Sequence, residues 1–370
     1  MLRPPILLLA GAALFLQPAG AQFPAQHTPL PGASASSPPQ DSQQHGATDA
    51  QAELEAGSAL TRQGFFEQAI PHLLAARRQG MALYATGVNL AICYLGTHQY
   101  KEAVSDLREL AAGANANATV YNLLAQAYLG SGQKPEAWKS FLLAAQATPK
   151  DESLYDYLAD ACTDQGDYSM GLGVVNEGLK ELPDSARLHY ERAVFLARLG
   201  SLDRARPEFE QAVHLAPGSD IGYLAEVQQT LYDDQYAKAE QVLRKAIAAG
   251  HDDFRMQSLL GTVLLHEGAA PGDPKFAEAK AALAKAAEEH PNDSTTEIAL
   301  GKVYLMEGQA REAIKHLEVA RRLDPNNVAV YASLASAWGK LGERQKAAEM
   351  RRQMSRLVAR QAANSSPAKP

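Results

Sequence analysis

Apolar and small residues recur three and four positions apart over a stretch of 34 residues that starts at Ser294 and ends at Asn327. These positions are Leu300, Gly301, Tyr304, Ala313, Leu317 and Ala320. Such spacing is typical of amphipathic α-helices. Gly308 interrupts the pattern, and Pro325 ends it because proline cannot continue a helix. The stretch therefore predicts two short helices joined by a tight turn.

The same pattern returns along most of the chain, which predicts nine repeats of one structural unit. Their predicted bounds are 50–83, 84–117, 118–151, 152–185, 186–219, 220–253, 254–293, 294–327 and 328–361. Eight repeats have 34 residues, and the seventh has six more, at 269–274. The twentieth position always holds a small residue, namely Ala69, Ala103, Ala137, Gly171, Ala205, Ala239, Ala279, Ala313 and Ala347. Small residues at one position in every repeat allow two helices to approach closely.

This combination of period, small positions and terminal proline resembles the tetratricopeptide repeat (TPR) family. The resemblance implies an all-α fold, an α-solenoid in which about nine helix-turn-helix TPR units form a superhelix. It also implies that the first helix of each unit lines a concave groove. In that family, positions 2, 5, 9, 12 and 13 of the first helix vary with the partner.

The fourth repeat places three carboxylates at those positions: Asp156, Asp160 and Asp164. They are four residues apart, so they stack on one helix face, where like charges cost a few tenths of a kcal/mol. One interpretation is an acidic strip that binds a basic peptide or a cation. The other is a structural strip that Arg187 and Arg198 on the next helix neutralise.

The sixth to eighth repeats place large apolar residues at the same positions. They are Ile221, Leu224, Leu231, Tyr232, Leu265, Ile298, Leu305 and Met306. Exposed apolar side chains in one concavity are typical of a binding site, which here would suit an amphipathic helix or an extended peptide. The alternative is that tight curvature buries these side chains against one another. Among them, Leu224, Leu231, Tyr232, Ile298, Leu305 and Met306 are the predicted partner contacts, together with the three aspartates.

The seventh position, which usually holds leucine, carries Arg192 in the fifth repeat and Glu226 in the sixth. Equivalent positions of adjacent repeats are neighbours in a solenoid. The sequence therefore predicts an ion pair between these two side chains across the repeat boundary.

The N-terminus is typical of an export signal over residues 1–21. Arg3 precedes an apolar run, and small residues follow near Ala21. The run is about half the length that a bilayer span needs, so no membrane span is expected after cleavage. Residues 22–49 are rich in Pro, Ser and Gln and predict a disordered linker, and residues 362–370 predict a disordered tail. The expected location is periplasmic or secreted.

The net charge of −7 argues against nucleic acid as a partner, which would need a basic surface. From Lys340 onward the chain is basic, as expected of a terminal helix that faces water. The two cysteines, Cys93 and Cys162, fall two repeats apart, too far for a disulfide, and are expected to be buried.

No motif of a metalloprotease, nucleophile elbow, phosphate loop or dinucleotide site is present. The sequence therefore predicts no enzyme activity, no cofactor and no metal. The lysine and asparagine of the carboxylate clamp found in TPR co-chaperones are also missing. The predicted function is an exported, non-catalytic scaffold that binds an unidentified protein or peptide in its groove. The alternative is an accessory subunit of a cell-envelope assembly or polysaccharide-export machine that docks through its outer surface.

Overall fold

The computed structural model describes residues 41–365, in which short turns join eighteen α-helices and no strand occurs. The helices are α1 Asp41–Arg62, α2 Phe66–Arg78, α3 Leu83–Gly96, α4 Tyr100–Ala112, α5 Ala118–Gly130, α6 Lys134–Ala147, α7 Glu152–Gln165, α8 Tyr168–Glu181, α9 Ala186–Arg198, α10 Leu202–Leu215, α11 Asp220–Tyr232, α12 Tyr236–Ala248, α13 Phe254–His266, α14 Pro274–Glu289, α15 Ser294–Met306, α16 Ala310–Leu323, α17 Val328–Lys340 and α18 Arg344–Ser365. Residues 41–161 form one compact unit, and residues 162–365 form a second.

The first and last helices are longer than the repeat pattern predicts. Helix α1 begins at Asp41, so it includes residues 41–49 of the predicted disordered linker. Helix α18 runs to Ser365, into the predicted tail. No proline lies between Pro39 and the end of α1, or inside α18, so neither helix meets a residue that stops it. The predicted signal segment and the rest of the linker lie outside the described residues.

The turn within each helix pair has a residue with positive φ at the fifteenth position of the repeat, and the longer turn of the seventh repeat has a second one, Gly272. Seven of the residues at the fifteenth position are glycines: Gly64, Gly132, Gly166, Gly200, Gly268, Gly308 and Gly342. The other two are His98, with φ of 58°, and Asp234, with φ of 56°. Glycine adopts this conformation without the steric cost of a Cβ atom. A left-handed residue therefore closes every described helix pair.

Close contact between the two helices of a pair depends on small residues. A Cβ atom added to Gly301 would lie 2.5 Å from Cγ of Leu317, and one added to Gly57 would lie 2.7 Å from Cγ of Leu73. Both glycines occupy the eighth position, and both leucines are buried. The small residues at the twentieth position are also buried in all nine repeats. Steric fit thus explains the pattern seen in the sequence.

A side chain at the fourth position of a repeat joins it to the repeat before it. The hydroxyl of Tyr155 donates to the carbonyl oxygen of Pro149 at 2.7 Å, and Tyr331 does the same to Pro325 at 2.9 Å. These prolines follow the end of a helix, where carbonyl groups have no partner within the helix. The hydrogen bonds satisfy those carbonyls and fix one repeat against the next.

Within the two units, five pairs of consecutive first helices are in contact, whereas no two second helices of the described part of the chain contact each other. The contacts join α1 to α3, α3 to α5, α9 to α11, α13 to α15 and α15 to α17. The first helices therefore form the tighter row of each stack. The observed architecture is an all-α solenoid of helix-turn-helix units, as the sequence predicts.

Of the six additional residues of the seventh repeat, only the first packs against the solenoid, and the other five are exposed. Ala269 is buried in a cluster with Phe276, Ala299 and Leu300. A carboxylate oxygen of Asp273, just before α14, accepts from the backbone amide of Ala270 at 2.9 Å. The insertion thus forms a closed turn that leads into α14.

Both cysteines, Cys93 and Cys162, are buried and form no disulfide, as predicted. Burial raises the pKa of the Cys93 thiol, which disfavours the reactive thiolate. Among residues 41–365, no helix is both long and apolar enough to span a bilayer.

Candidate partner-binding site

The three predicted acidic residues share one face of α7 but differ in exposure. Asp156 is buried, whereas Asp160 and Asp164 are half-buried. Asp156 and Asp160 belong to the first unit and Asp164 to the second. The acidic strip is thus less open to a basic peptide than its spacing suggests. Its role as a binding site stays a prediction.

The carboxyl group of Asp164 is a much weaker acid than an ordinary aspartate. Burial raises its pKa to about 7, and the negative charge of Asp324 adds to the rise. Desolvation favours the neutral form of a carboxyl group, and a second carboxylate acts in the same direction. Asp164 therefore changes its charge near neutral pH, which its sequence position alone does not indicate.

Most of the predicted apolar contacts are core residues. Leu224 has no exposed surface, and Leu231 is 8% exposed, both within the core that α9 to α13 share. Ile298 and Leu305 are similarly buried, in a core formed with α16 and α17. The expectation that these four side chains are exposed is wrong. Because first helices pack directly on one another, positions 5 and 12 turn into the interface.

Two of the predicted apolar contact residues have side chains that are accessible to solvent. Met306 is 44% exposed. Tyr232 is half-buried and packs against the ring of Phe209, with centroids 5.8 Å apart. Burial raises the pKa of the Tyr232 hydroxyl, while Arg198 opposes the rise. Both residues occupy position 13, at the end of a first helix, so the accessible apolar surface lies at that end.

The predicted ion pair between Arg192 and Glu226 does not form. Nη2 of Arg192 instead donates to Oε2 of Glu208 at 2.6 Å, within the same repeat. His189 also contacts that oxygen and is buried. Arg192 pairs with a carboxylate on the second helix of its own pair because that helix is closer to Arg192 than the next repeat is.

Sequence reasoning missed three cationic side chains on the first helices of the seventh and eighth repeats. Arg255 is buried and pairs with the carboxylates of Asp253 and Asp220. His266 and Lys302 are half-buried at positions 13 and 9. All three occupy variable positions of the family, so their positions in the repeat could have indicated them.

Comparison with known proteins agrees with the architecture. Residues 158–220 and 272–350 each match a family described as "Tetratricopeptide repeat". These two segments are similar to tetratricopeptide repeats, in agreement with the helix-turn-helix units of the fold. The matched segments include α9, α15 and α17, all first helices of TPR units. No curated protein matches the chain.

Several solved TPR structures are similar to it. A tetratricopeptide repeat protein from Parabacteroides merdae is 17% identical, covering 69% of this chain and 98% of its own, with a TM-score of 0.49. Yeast Tom70 is 13% identical, covering 85% of this chain and 95% of its own, with a TM-score of 0.40. YrrB, described as a TPR protein with an unusual peptide-binding site, is 21% identical, covering 50% of this chain and 91% of its own, with a TM-score of 0.34.

Proposed function

We propose that this chain is an exported, non-catalytic TPR scaffold that binds a protein or peptide along its row of first helices. The TPR matches support a role in protein interaction. One observation supports the row of first helices as the binding face. At the ends of α13 and α15, exposed Met306 lies near two half-buried basic side chains, the imidazole of His266 and the amine of Lys302. An accessible apolar side chain beside polar groups is typical of a recognition surface.

Export is part of the same proposal and rests on residues 1–21. A fusion of these residues to alkaline phosphatase tests it, because that enzyme is active only after export. We expect activity from the fusion and none when Leu7, Leu8 and Leu9 are replaced by aspartate. Equal activity from the two fusions, or none from either, contradicts export.

Site-specific photocrosslinking tests the binding face. The photoreactive residue p-benzoylphenylalanine replaces Met306 on first helix α15, or Leu142 on second helix α6, in the native host. The two side chains are 44% and 43% exposed, so they are matched in accessibility. We expect a discrete adduct from position 306 and none from position 142.

Adducts from position 142 alone would favour the alternative, an accessory subunit of an envelope assembly that docks through its outer surface. Irradiation of the unsubstituted chain gives the background.

A further inference from the structure

Lys302 and His266 are two half-buried basic side chains without an acidic partner. Among the described residues, no carboxylate lies within 4.0 Å of Lys302. The neighbouring Glu267 is paired with Lys275 at 2.7 Å. Glu297, five residues before Lys302 on the same helix, is paired with a histidine of α16. The acids that could neutralise this pair are therefore engaged elsewhere.

The two basic groups are held on adjacent first helices in a defined register. The hydroxyl of Thr296 on α15 donates to the hydroxyl of Ser258 on α13 at 2.8 Å, which fixes the two helices side by side. Lys302 lies further along α15, and His266 lies at the end of α13. The ring of His266 stacks on Tyr236, with centroids 5.3 Å apart and planes 5° apart. The stack orients the imidazole.

Burial makes the charged form of both basic groups less favourable, and Lys302 also acts on His266. Burial lowers the pKa of Lys302. Burial also lowers the pKa of His266, and the charge of Lys302 lowers it further. A nearby anion would relieve both effects, because opposite charge favours the charged form of a base.

A third polar group on this face has no partner. Thr262 lies one turn before His266 and holds the position in α13 that Lys302 holds in α15. Its side chain is 9% exposed, and its hydroxyl oxygen has no hydrogen-bond partner among the described residues. Buried hydroxyls in folded proteins are nearly always hydrogen-bonded. The unpaired hydroxyl is thus a further sign that this face is completed by a ligand.

We propose that Lys302 and His266 form a subsite for a peptide carboxylate. Apolar side chains lie beside it, namely half-buried Leu265 and exposed Met306. An acidic residue flanked by large apolar residues matches this surface, whereas a nucleic acid would need a longer run of cations. The subsite rests on the proposed function, since it assigns the chemistry of the partner that the first helices bind.

Selection of peptides tests the subsite. A random 12-residue library, displayed on phage with blocked C-termini, is selected against the wild-type chain and against Lys302→Met. Lys302→Arg keeps the charge, and Lys315→Met removes an exposed lysine of α16 that pairs with Glu312. We expect Asp or Glu next to apolar residues in peptides from the wild-type, Lys302→Arg and Lys315→Met selections. We expect this acidic preference to be lost with Lys302→Met.

The best wild-type peptide is then synthesised, and its Kd is measured by calorimetry. Replacement of its acidic residue by the amide should weaken binding about tenfold or more, since a hydrogen bond to a charged group is lost. A matching loss is expected with Lys302→Met, whose melting temperature is the control for folding. A free C-terminus on the amide peptide tests whether a terminal carboxylate can serve instead.

The outcomes separate the two proposals. Selected peptides without acidic preference, or with a preference that Lys302→Met leaves intact, overturn the subsite and leave groove binding in place. Failure to select any peptide on any variant contradicts both.

Discussion

His189 links two repeats through its two ring nitrogens. Its Nδ1 atom lies 2.7 Å from Oε2 of Glu208, on the second helix of the same pair. Its Nε2 atom lies 2.9 Å from the carbonyl oxygen of Pro183, at the end of the preceding repeat. Both neighbours are acceptors, so the two hydrogen bonds form together when the ring carries two protons. The imidazole thus closes one helix pair and attaches it to the pair before.

The same two positions hold a histidine and a glutamate in the first and eighth repeats, but in reverse order. Glu53 contacts His72 at 2.6 Å, and Glu297 contacts His316 at 2.8 Å. Positions 4 and 23 therefore accept this pair in either orientation. The solenoid uses one geometry for the contact in three repeats.

Exchange of the two residues in the eighth repeat tests this symmetry. We expect Glu297→His alone to lower the free energy of unfolding by about 1–3 kcal/mol, because His316 loses its acceptor. Adding His316→Glu should recover at least half of that loss. Urea titrations of the two single variants and the double variant give the coupling energy. A double variant no more stable than Glu297→His contradicts the account.

The ion pair of Arg192 can be tested by comparing the stability of variants at Glu208 and at Glu226. Glu208→Leu removes the acceptor of both Arg192 and His189 and should cost about 2–4 kcal/mol in unfolding free energy. Glu226→Leu places the usual residue at the seventh position and should change stability by less than about 0.5 kcal/mol. Thermal melting of the two variants measures the difference. An equal loss of unfolding free energy in both variants would contradict the Arg192–Glu208 pair and favour the Arg192–Glu226 pair that the sequence predicts.

Much of the fold could be predicted because its causes are local. The positive φ at position 15 selects mainly glycine, and the close helix contacts at positions 8 and 20 select small residues. The end of the second helix selects proline near position 32. The partner of Arg192 and the burial of Leu224 could not be predicted, because they depend on distances between helices. Lys302 was readable as a cation at a variable position, but its lack of an acid partner required the structure.

The acidity of Asp164 predicts a pH effect on stability. Its pKa rises from 3.8 to about 7 on folding, so the folded chain holds this proton more tightly than the unfolded chain. The wild-type chain should therefore lose stability as the pH rises from about 4 to 7. Asp164→Asn removes the titrating group and should gain roughly 2–4 kcal/mol relative to wild type at pH 8.

At pH 4 the same variant should differ from wild type by less than about 1 kcal/mol, because the carboxyl is then neutral in the folded chain. Urea denaturation of both proteins across this pH range measures the difference. A gain that is the same at pH 4 and pH 8 would mean that ionisation is not its cause.

The left-handed turn residues predict opposite effects for opposite substitutions. Asp234→Gly should raise the free energy of unfolding by up to about 1 kcal/mol, because glycine adopts positive φ more readily. Gly308→Ala should lower it by about 1 kcal/mol for the same reason. Nothing lies within 4 Å of a Cβ atom built on Gly308, so conformation alone would account for the loss. Melting temperatures that move in the same direction for both variants contradict this reasoning.

The central claim is that the row of first helices receives the partner. Hydrogen–deuterium exchange of the full chain, with and without a saturating selected peptide, tests it most directly. We predict slower exchange in α13 and α15, with little change in second helices α14 and α16. Protection confined to second helices, or no protection at saturation, would contradict the account.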